Sequence, residues 1–398
     1  MAEQVKTQSG TAKERIIKIG YELIRNAEKA FGIFPIKPRR IMFQSYGHAV
    51  GYTCNPKYIC EYLRAHHPGR FELVWAFKDP EAYKNMEGIT AVRHKTLKWL
   101  YYLYTSKIVV LNEGPSAYVA KRKGQYLIQT WHGGGAYKRV GFARNDLTPL
   151  WKWIYETTGN DIDLFLASCE ASARTSAYET YHYTGEILKS GSPRNDILLD
   201  QERSEKAAQA VRDRLGIGKD AYVVLYAPTF RNTAENLHDI FSFRKLHAAL
   251  QQRWDREIVF LLRAHRYHDS AYQTDKKVLD VTDYPDMQEL LCAADLLITD
   301  YSSCMWDFAL RRKPCLLYVP DLDQYDGERG FFTPIQDWPG LICRTADELC
   351  ETAAKLDEEI CAQKAEEHLA KLGSYETGTA AQQVCDRILQ VTGTKSAT

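Results

Sequence analysis

The 398-residue sequence has no run of about 18 apolar residues, the length that a membrane-spanning helix needs. Its first 12 residues lack the apolar segment of a secretory signal, so we expect a cytoplasmic protein or one attached to a membrane surface. Internal repeats and low-complexity tracts are absent as well, and the net charge is only +1. So small a positive charge argues against nucleic-acid binding and favours an ordinary globular chain with room for two domains.

The ten cysteines form no CxxC pair, and no histidines are spaced around them as zinc ligands would be. Most of them lie inside apolar or helical stretches, as Cys169, Cys292, Cys304 and Cys315 do. We therefore expect free, buried thiols in a reducing compartment. No acidic cluster that would hold a catalytic metal is evident either, so we predict no metal and no other cofactor.

Basic charge is concentrated at the start of the chain, where residues 1–40 contain nine Lys and Arg against four Glu. Apolar residues recur at helical spacing over residues 12–31, and the segment FPIKPRR ends that pattern. The pattern predicts a helix over residues 12–31, and residues 1–37 are thus assigned to a basic amphipathic N-terminal helix region. Such a helix either packs against the following domain or docks on an anionic lipid surface, and the sequence leaves both possibilities open.

Two series of short apolar runs follow, and each run ends in a polar loop. The first series contains RIMFQSYG, ELVWAF, KIVVLNE, YLIQTWHG and DLFLAS, and the second contains AYVVLYAPTF, EIVFLLRAH, KVLDVT, DLLITDYSS and KPCLLYVP. Continuous rather than alternating apolar runs are typical of parallel strands buried on both faces. We therefore predict an α/β protein with two Rossmann-like parallel-sheet domains, residues 38–198 and 199–398. The second domain would include a C-terminal helix, and ligands would bind in a cleft at the carboxyl ends of the strands.

The segment QTWHGGGAYKRVGF, residues 129–142, places His132 beside three glycines. An HGGG turn supplies oxyanion N–H groups in some esterases, but those enzymes need a G-x-S-x-G elbow, and the sequence contains none. In phosphate-group transfer, glycine lets the backbone approach phosphate oxygens, and a histidine accepts a proton near neutral pH. His132 is therefore the candidate general base, with Gly133, Gly134 and Lys138 as candidate substrate contacts. We see no packing reason for the glycines in the sequence.

Polar residues also follow the apolar runs elsewhere, where a parallel sheet brings strand ends to one edge. Each alone has an ordinary explanation as a loop residue or a helix cap, but together they supply hydroxyls and cations for a phosphate group. Asp300 is the exception, since a carboxylate repels phosphate, and it would cap the turn or orient a hydroxyl. The candidates are Arg194, Asn195, Thr229, Arg231, Arg263, His265, Asp300, Ser302 and Ser303.

Several segments occur in the order seen in the CDP-glycerol glycerophosphotransferases, the teichoic-acid primase and polymerase enzymes. They are QTWHGG with YKRVG, GSPRND, LYAPTFR, LLRAH, DMQELLCAADLLITDYSSCMWDFALRRKP, and FF at 331–332. The resemblance covers roughly residues 40–345, and its long segment at 286–314 is specific. It implies a GT-B fold, a CDP-polyol donor and a lipid-linked saccharide acceptor.

The resemblance also implies roles for single residues. His132 matches the histidine taken as the base, and His265 matches the one taken to contact the donor phosphates. On the donor side it implies that Ser302 and Ser303, with Asp300 beside them, form a pyrophosphate-binding turn. It implies that Thr229 and Arg231 belong to a neighbouring donor loop, and that Asp307 contacts the ribose.

One departure from the family pattern concerns the loop after the base, because glycerol enzymes commonly carry WHGTP where this chain has WHGGG. The expected reaction is transfer of glycerol phosphate from CDP-glycerol to an acceptor hydroxyl at the cytoplasmic face of the membrane, with release of CMP. Ribitol phosphate transfer stays open, as does a GT-B sugar-nucleotide glycosyltransferase or epimerase. A non-catalytic membrane adaptor, whose function is the basic helix, is the alternative from another class. The chain lacks the long extra N-terminal domain of large polymerases, so we expect a compact, primase-like enzyme.

Overall fold

The computed structural model describes residues 11–45, 51–114, 117, 119–229, 242–263 and 278–393. Its internal contacts divide the chain into two compact units, and each unit is built from more than one segment. Unit 1 contains Met1–His132, Arg139–Asp196 and Tyr375–Thr398, and unit 2 contains Gly133–Lys138 and Ile197–Ser374. The predicted boundary after residue 198 therefore lies two residues from the observed change at Asp196.

Unit 1 contains a seven-stranded parallel sheet in the order β3-β2-β1-β4-β5-β6-β7. The strands are β1 Lys37–Gln44, β2 Glu72–Phe77, β3 Ile89–Arg93, β4 Ser106–Leu111, β5 Tyr126–Gln129, β6 Leu164–Leu166 and β7 Glu186–Leu188. Both faces of the sheet are covered: Ile41 and Phe43 pack into one core cluster, and Met42 between them packs into the other. This burial on both faces explains the continuous apolar runs of the sequence.

Unit 2 contains a six-stranded parallel sheet in the order β10-β9-β8-β11-β12-β13. The strands are β8 Tyr222–Ala227, β9 Ile258–Leu262, β10 Val278–Asp280, β11 Leu296–Thr299, β12 Cys315–Tyr318 and β13 Leu341–Cys343. In both sheets the strand order reverses beside the strand that comes first in the chain, β1 in unit 1 and β8 in unit 2, which is the Rossmann arrangement. The predicted GT-B-like class, α/β with two Rossmann-like parallel sheets, is thus confirmed.

Helices connect these strands. Those of unit 1 are α1 Ala12–Phe31, α2 Cys54–His66, α3 Leu97–Thr105, α4 Pro149–Asp161, α5 Glu170–Ser172 and α14 Ala380–Val391, and α6 Asp196–Leu199 begins in unit 1 and ends in unit 2. Those of unit 2 are α7 Gln201–Leu215, α8 Phe243–Arg253, α9 Met287–Ala293, α10 Cys304–Ala309, α11 Leu322–Arg329, α12 Ala346–Ala354 and α13 Glu358–Lys371. No helix among the described residues is both long enough and apolar enough to cross a bilayer.

The N-terminal helix has the predicted bounds of 12–31 and begins with a capping box between Thr11 and Glu14. One of its faces packs on unit 1, where Tyr21 and Phe31 contact the core and Arg25 pairs with Asp161 at 2.6 Å. The structure therefore confirms that the helix packs on its domain, one of the two possibilities that the sequence left open.

The C-terminal helix α14 was predicted in the second domain, and that prediction is wrong. Val384, Cys385 and Ile388 of this helix lie in a core cluster of unit 1. Its first turn is held by Asp196, whose carboxylate accepts hydrogen bonds from the backbone N–H groups of Ala380 and Ala381 at 3.0 and 2.8 Å. The end of the GSPRND segment is therefore the cap of α14.

The cysteines agree with the sequence analysis. All ten are free thiols, and all except Cys350 are buried. Burial raises the pKa of the Cys304 thiol to about 11, so this thiol stays protonated at neutral pH. A structural role for the cysteines follows.

We predict that Asp196→Ala lowers the free energy of unfolding by about 1–2 kcal/mol, because two buried N–H groups of α14 lose their acceptor. Asp386→Ala, on the exposed face of the same helix, is the matched control and should change stability by less than about 0.5 kcal/mol. Urea unfolding followed by circular dichroism measures both. Equal stability of the two variants would show that the cap does not hold α14.

Candidate active site

The predicted base lies just after β5, in a backbone that is strained and closely held. Trp131 has a φ of 53°, which is uncommon for a bulky residue. Its N–H donates to the Gln129 side chain at 3.0 Å, and its carbonyl accepts from the Asn55 side-chain amide at 3.0 Å. Strain of this kind persists only where the surroundings fix the backbone on several sides.

The ring of His132 has a defined tautomer. Its Nδ1 lies 2.7 Å from the backbone carbonyl oxygen of Asn112, the residue that follows β4. Because a carbonyl only accepts, Nδ1 carries the proton in the neutral ring, and Nε2 is then the basic nitrogen. The side chain is partly buried, and its ring tilts against that of Trp131 with 4.8 Å between centroids. This arrangement suits a general base.

The structure places Arg194 and Asn195, predicted as substrate contacts, inside unit 1, where they are 4% and 0% exposed. Arg194 donates to the carbonyl oxygen of His132 at 2.8 Å. Asn195 donates to the carboxylate of Glu376 at 3.0 Å, and the same carboxylate accepts from the N–H of Ser192. Both residues thus support neighbouring parts of unit 1 rather than present a surface to substrate.

The glycines after the base do have a packing reason, contrary to our expectation. Gly134 is buried against Trp306 of α10, and a Cβ at this position would lie 2.0 Å from the indole Cδ1. Gly135 has a φ of +68°, a conformation that favours glycine. Gly133 is only partly buried. Of the two predicted glycine contacts, Gly134 is therefore needed first for packing within unit 2.

The segment Gly133–Lys138 is bound within unit 2 through its backbone. The carbonyl of Tyr137 accepts from the N–H of Phe332 at 2.6 Å, and Lys138 pairs with Phe331 in an isolated antiparallel bridge. The FF pair at 331–332 is therefore the partner of the segment after the base. Lys138 itself is partly buried, and its ammonium lies 5.7 Å from the ring centroid of Tyr325.

His368 of α13, which no sequence pattern marked as functional, anchors the same segment. Its ring stacks on that of Tyr137, and its Nε2 accepts from the tyrosine hydroxyl at 2.8 Å. Its Nδ1 donates to the carbonyl oxygen of Asp337. Burial lowers the pKa of His368 to about 4, so the ring is neutral at physiological pH and keeps both bonds.

The donor-side candidates lie at the point of unit 2 where the strand order reverses. Thr229 follows β8, and Asp300 follows β11. The Asp300 carboxylate, 2% exposed, accepts from both the backbone N–H and the hydroxyl of Thr229, each at 3.0 Å. It therefore orients a hydroxyl, one of the two roles considered for it. Ligands of doubly wound sheets bind at such a reversal.

The remaining candidates differ in their surroundings. Ser302 and Ser303 are partly buried between β11 and α10. Asp307 is 2% exposed and accepts from the Gln288 amide at 3.0 Å. We therefore do not propose Asp307 as a ribose contact. Arg263 donates to the carbonyl of Tyr284 at 2.7 Å. The two other predicted residues, Arg231 and His265, lie outside the described residues.

Comparisons with known proteins were made for sequence and for structure. The sequence profile of the family described as CDP-Glycerol:Poly(glycerophosphate) glycerophosphotransferase matches residues 28–390. The chain is 29% identical to a teichoic acid poly(glycerol phosphate) polymerase of Bacillus spizizenii, over 82% of this chain and 86% of that protein. It is also 29% identical to a teichoic acid glycerol-phosphate transferase of Staphylococcus aureus, over 88% of this chain and 92% of that protein.

Two further similarities are informative. A teichoic acid poly(ribitol-phosphate) polymerase of Bacillus spizizenii is 27% identical over 87% of this chain, which spans only 56% of that relative. A solved structure of the wall teichoic acid polymerase TagF, from a variant soaked with CDPG, matches with a TM-score of 0.78 and 25% identity. That match covers 97% of this chain and 99% of the other.

We predict that unit 2 loses stability between about pH 6.5 and pH 4 through His368, because the unfolded imidazole binds a proton in this range and the buried one does not. The contribution is fully present above about pH 6.5 and is lost as the pH falls to about 4. His368→Gln keeps a donor and an acceptor but does not titrate.

The measurement is the difference in unfolding free energy between wild type and His368→Gln at pH 7 and at pH 4.5. We expect this difference to fall by about 2–3 kcal/mol on acidification, because burial lowers the pKa of His368 from 6.5 to about 4 and most of the resulting free-energy change falls between these two pH values. A difference that does not depend on pH would mean that His368 protonates as easily in the folded unit as in the unfolded chain.

Proposed function

The chain belongs to the CDP-glycerol:poly(glycerophosphate) glycerophosphotransferase family, and from this premise we propose that it transfers glycerol phosphate from CDP-glycerol to a hydroxyl of a lipid-linked saccharide. It is an enzyme, a CDP-polyol phosphotransferase, of the kind that acts in teichoic-acid synthesis. The observation that carries the proposal is the bond from His132 Nδ1 to the Asn112 carbonyl, which makes Nε2 the proton acceptor.

The proposed reaction begins when the acceptor hydroxyl loses its proton to Nε2 of His132. Its oxygen attacks the phosphorus that carries the glycerol, and the bond from that phosphorus to the bridging oxygen of the diphosphate breaks. CMP leaves with the electron pair of that bond, and the imidazolium later returns its proton to solvent. Because no covalent intermediate with the protein is formed, positioning and charge neutralisation supply most of the rate enhancement.

The proposed donor ligands belong to unit 2. The hydroxyls of Ser302 and Ser303 would donate to the diphosphate. Thr229 would line the same loop, where Asp300 keeps it in place, because its one hydroxyl proton is donated to that carboxylate. Asp300 acts here only through Thr229, because its own charge would repel the donor. By their place in the family motifs, Lys138, Arg231, Arg263 and His265 would supply positive charge to the diphosphate. The backbone of Gly133 would approach a phosphate oxygen.

A second part of the proposal concerns α1 and the acceptor. Ile16, Ile19 and Leu23, spaced three and four residues apart, form one exposed stripe of this helix, with exposed fractions of 70%, 55% and 67%. Lys13 and Arg15 lie beside the stripe and are exposed as well. We propose that this face binds the anionic surface of the membrane on its cytoplasmic side and so brings the enzyme to its lipid-linked acceptor.

We predict that His132→Ala lowers the rate of CMP release by about 10²–10⁴-fold, the usual effect of losing a general base. The matched control is His66→Ala, an exposed histidine at the end of α2, which should retain the wild-type rate. Release of CMP from CDP-glycerol, with a soluble acceptor analogue, is the measurement. If His132→Ala releases CMP at the wild-type rate, the mechanism is wrong.

The same assay identifies the donor when it is run with CDP-glycerol, CDP-ribitol and UDP-sugars. We expect the highest turnover with CDP-glycerol. Faster turnover of CDP-ribitol would establish the ribitol-phosphate transferase, which the similarity to a ribitol-phosphate polymerase keeps as the second candidate. Release of UDP would instead identify a sugar-nucleotide enzyme.

For α1 we predict that Leu23→Glu weakens binding to anionic vesicles at least about tenfold, because burial of one leucine contributes about 1.5–3 kcal/mol. Asn26→Glu is the matched control, since it adds the same charge at an exposed position of the same helix without removing an apolar side chain. It should weaken binding by at most about fivefold, the effect of one unit of charge.

Co-sedimentation with vesicles that contain phosphatidylglycerol measures both variants. If both variants lose the same amount of vesicle binding, charge alone, and not the apolar stripe, binds the surface. The rate of CMP release with a soluble acceptor should not change in Leu23→Glu, and this result would exclude the non-catalytic adaptor.

A further inference from the structure

We propose that Asn55 and Arg194 are positioning residues for the base, and that together they hold the backbone of residues 130–132 in the one conformation that aims the imidazole. We call these two residues the carbonyl clamp. The inference rests on the proposed function, in which Nε2 of His132 accepts the proton. It goes beyond that function by assigning two residues that would touch neither donor nor acceptor.

The first member of the clamp lies in the first turn of α2. Asn55 is 1% exposed, and its side-chain Nδ2 lies 3.0 Å from the carbonyl oxygens of both Thr130 and Trp131. Its Oδ1 accepts from the backbone N–H of Arg194 at 3.1 Å. One amide group therefore joins the segment before the base to the GSPRND segment.

The second member is Arg194 itself. Its Nη1 donates to the carbonyl of His132 at 2.8 Å and lies 3.4 Å from the sulfur of Cys54. Three successive carbonyl groups, of residues 130, 131 and 132, thus each accept a hydrogen bond from one of these two side chains, and the carbonyl of Trp131 also accepts from the Thr130 hydroxyl at 3.2 Å. These bonds satisfy the three carbonyls and at the same time tie them to α2 and to the GSPRND segment.

The clamp is needed because the backbone that it holds is strained. Trp131 has a φ of 53°, and a conformation of this kind costs about 1–3 kcal/mol. Without donors to its carbonyls the segment would relax toward an ordinary φ, and the ring of His132 would move with it. A displacement of about 1 Å at a catalytic group costs on the order of 10²-fold in rate. The bond to Asn112 orients the ring only while Nδ1 stays within reach of that carbonyl.

The test is Asn55→Asp, which keeps the size of the side chain and its acceptor for Arg194 but replaces the amide donor with a carboxylate. We expect kcat to fall about 10–10²-fold, while the KM for CDP-glycerol changes by less than about threefold, because the clamp does not touch the donor. Arg194→Lys is the second variant, in case the first does not fold, and it should lower kcat in the same way without changing KM.

Unit 1 provides a matched control in Gln125, which is 6% exposed. Its Nε2 also bridges two carbonyls, of Leu103 and Ser106, at 2.7 and 2.6 Å, and its Oε1 also accepts a backbone N–H, from Arg122. Gln125→Glu therefore makes the same chemical change away from the base. It should lower the unfolding temperature as Asn55→Asp does, but leave kcat within about twofold of wild type. Equal losses of kcat in the two variants would overturn the proposal.

A double-mutant comparison separates positioning from general damage. In a His132→Ala background, Asn55→Asp should change the residual rate of CMP release by less than about twofold, because its effect passes through the imidazole. A further tenfold loss in that background would show a merely structural role and overturn the proposal. If His132→Ala itself retains full turnover, the proposed function fails. If that variant is inactive while Asn55→Asp keeps the wild-type kcat, only the clamp is wrong.

Discussion

The hydrogen bond between Nδ1 of His132 and the carbonyl of Asn112 is the interaction on which the proposed chemistry of unit 1 depends. It fixes which ring nitrogen carries the proton, and it joins the residue after β4 to the residue that follows β5 by three positions. The two strands are neighbours in the parallel sheet, so their carboxyl ends lie at the same edge. The strand order therefore brings residues 112 and 132 together, which no local sequence pattern could do, and so sets the tautomer of the proposed base.

The segment Gly133–Lys138 shows that residues required for packing can have the same sequence pattern as a ligand-binding motif. Three glycines beside a histidine indicated backbone approach to a phosphate, yet Gly134 leaves room for an indole and Gly135 permits a positive φ. The side chain of Tyr137 then packs between His368 and Trp338 in unit 2. The chain thus leaves unit 1 after His132, the proposed base, and the segment that begins at Gly133 belongs to unit 2.

Much of the fold could be predicted from the sequence, because each buried parallel strand is a short apolar run that needs no knowledge of its neighbours. The bounds of α1 could be predicted for the same reason, from a local periodicity and the proline-containing segment that ends it. The place of α14 could not, since the carboxylate that caps it is 184 residues away along the chain. Arg194 resembled an exposed strand-end cation, but it is 4% exposed and donates to the carbonyl of His132, a partner 62 residues away along the chain. The donor-side hydroxyls stay predictions, with Asp300 now seen to hold one of them.

The amphipathic pattern of α1 had two explanations, which the sequence analysis treated as alternatives. The structure shows why they are compatible: this helix has apolar residues on two faces. Tyr21 and Phe31 face the core of unit 1, whereas Ile16 and Leu23 are among the most exposed large apolar side chains of the described residues. A helix that served only its own domain would gain nothing from the second face, because exposed isoleucine and leucine favour association with other apolar surfaces. Under the proposed function, rigid attachment through the first face would let a membrane contact at the second orient unit 1, and with it the proposed base, toward the proposed lipid-linked acceptor.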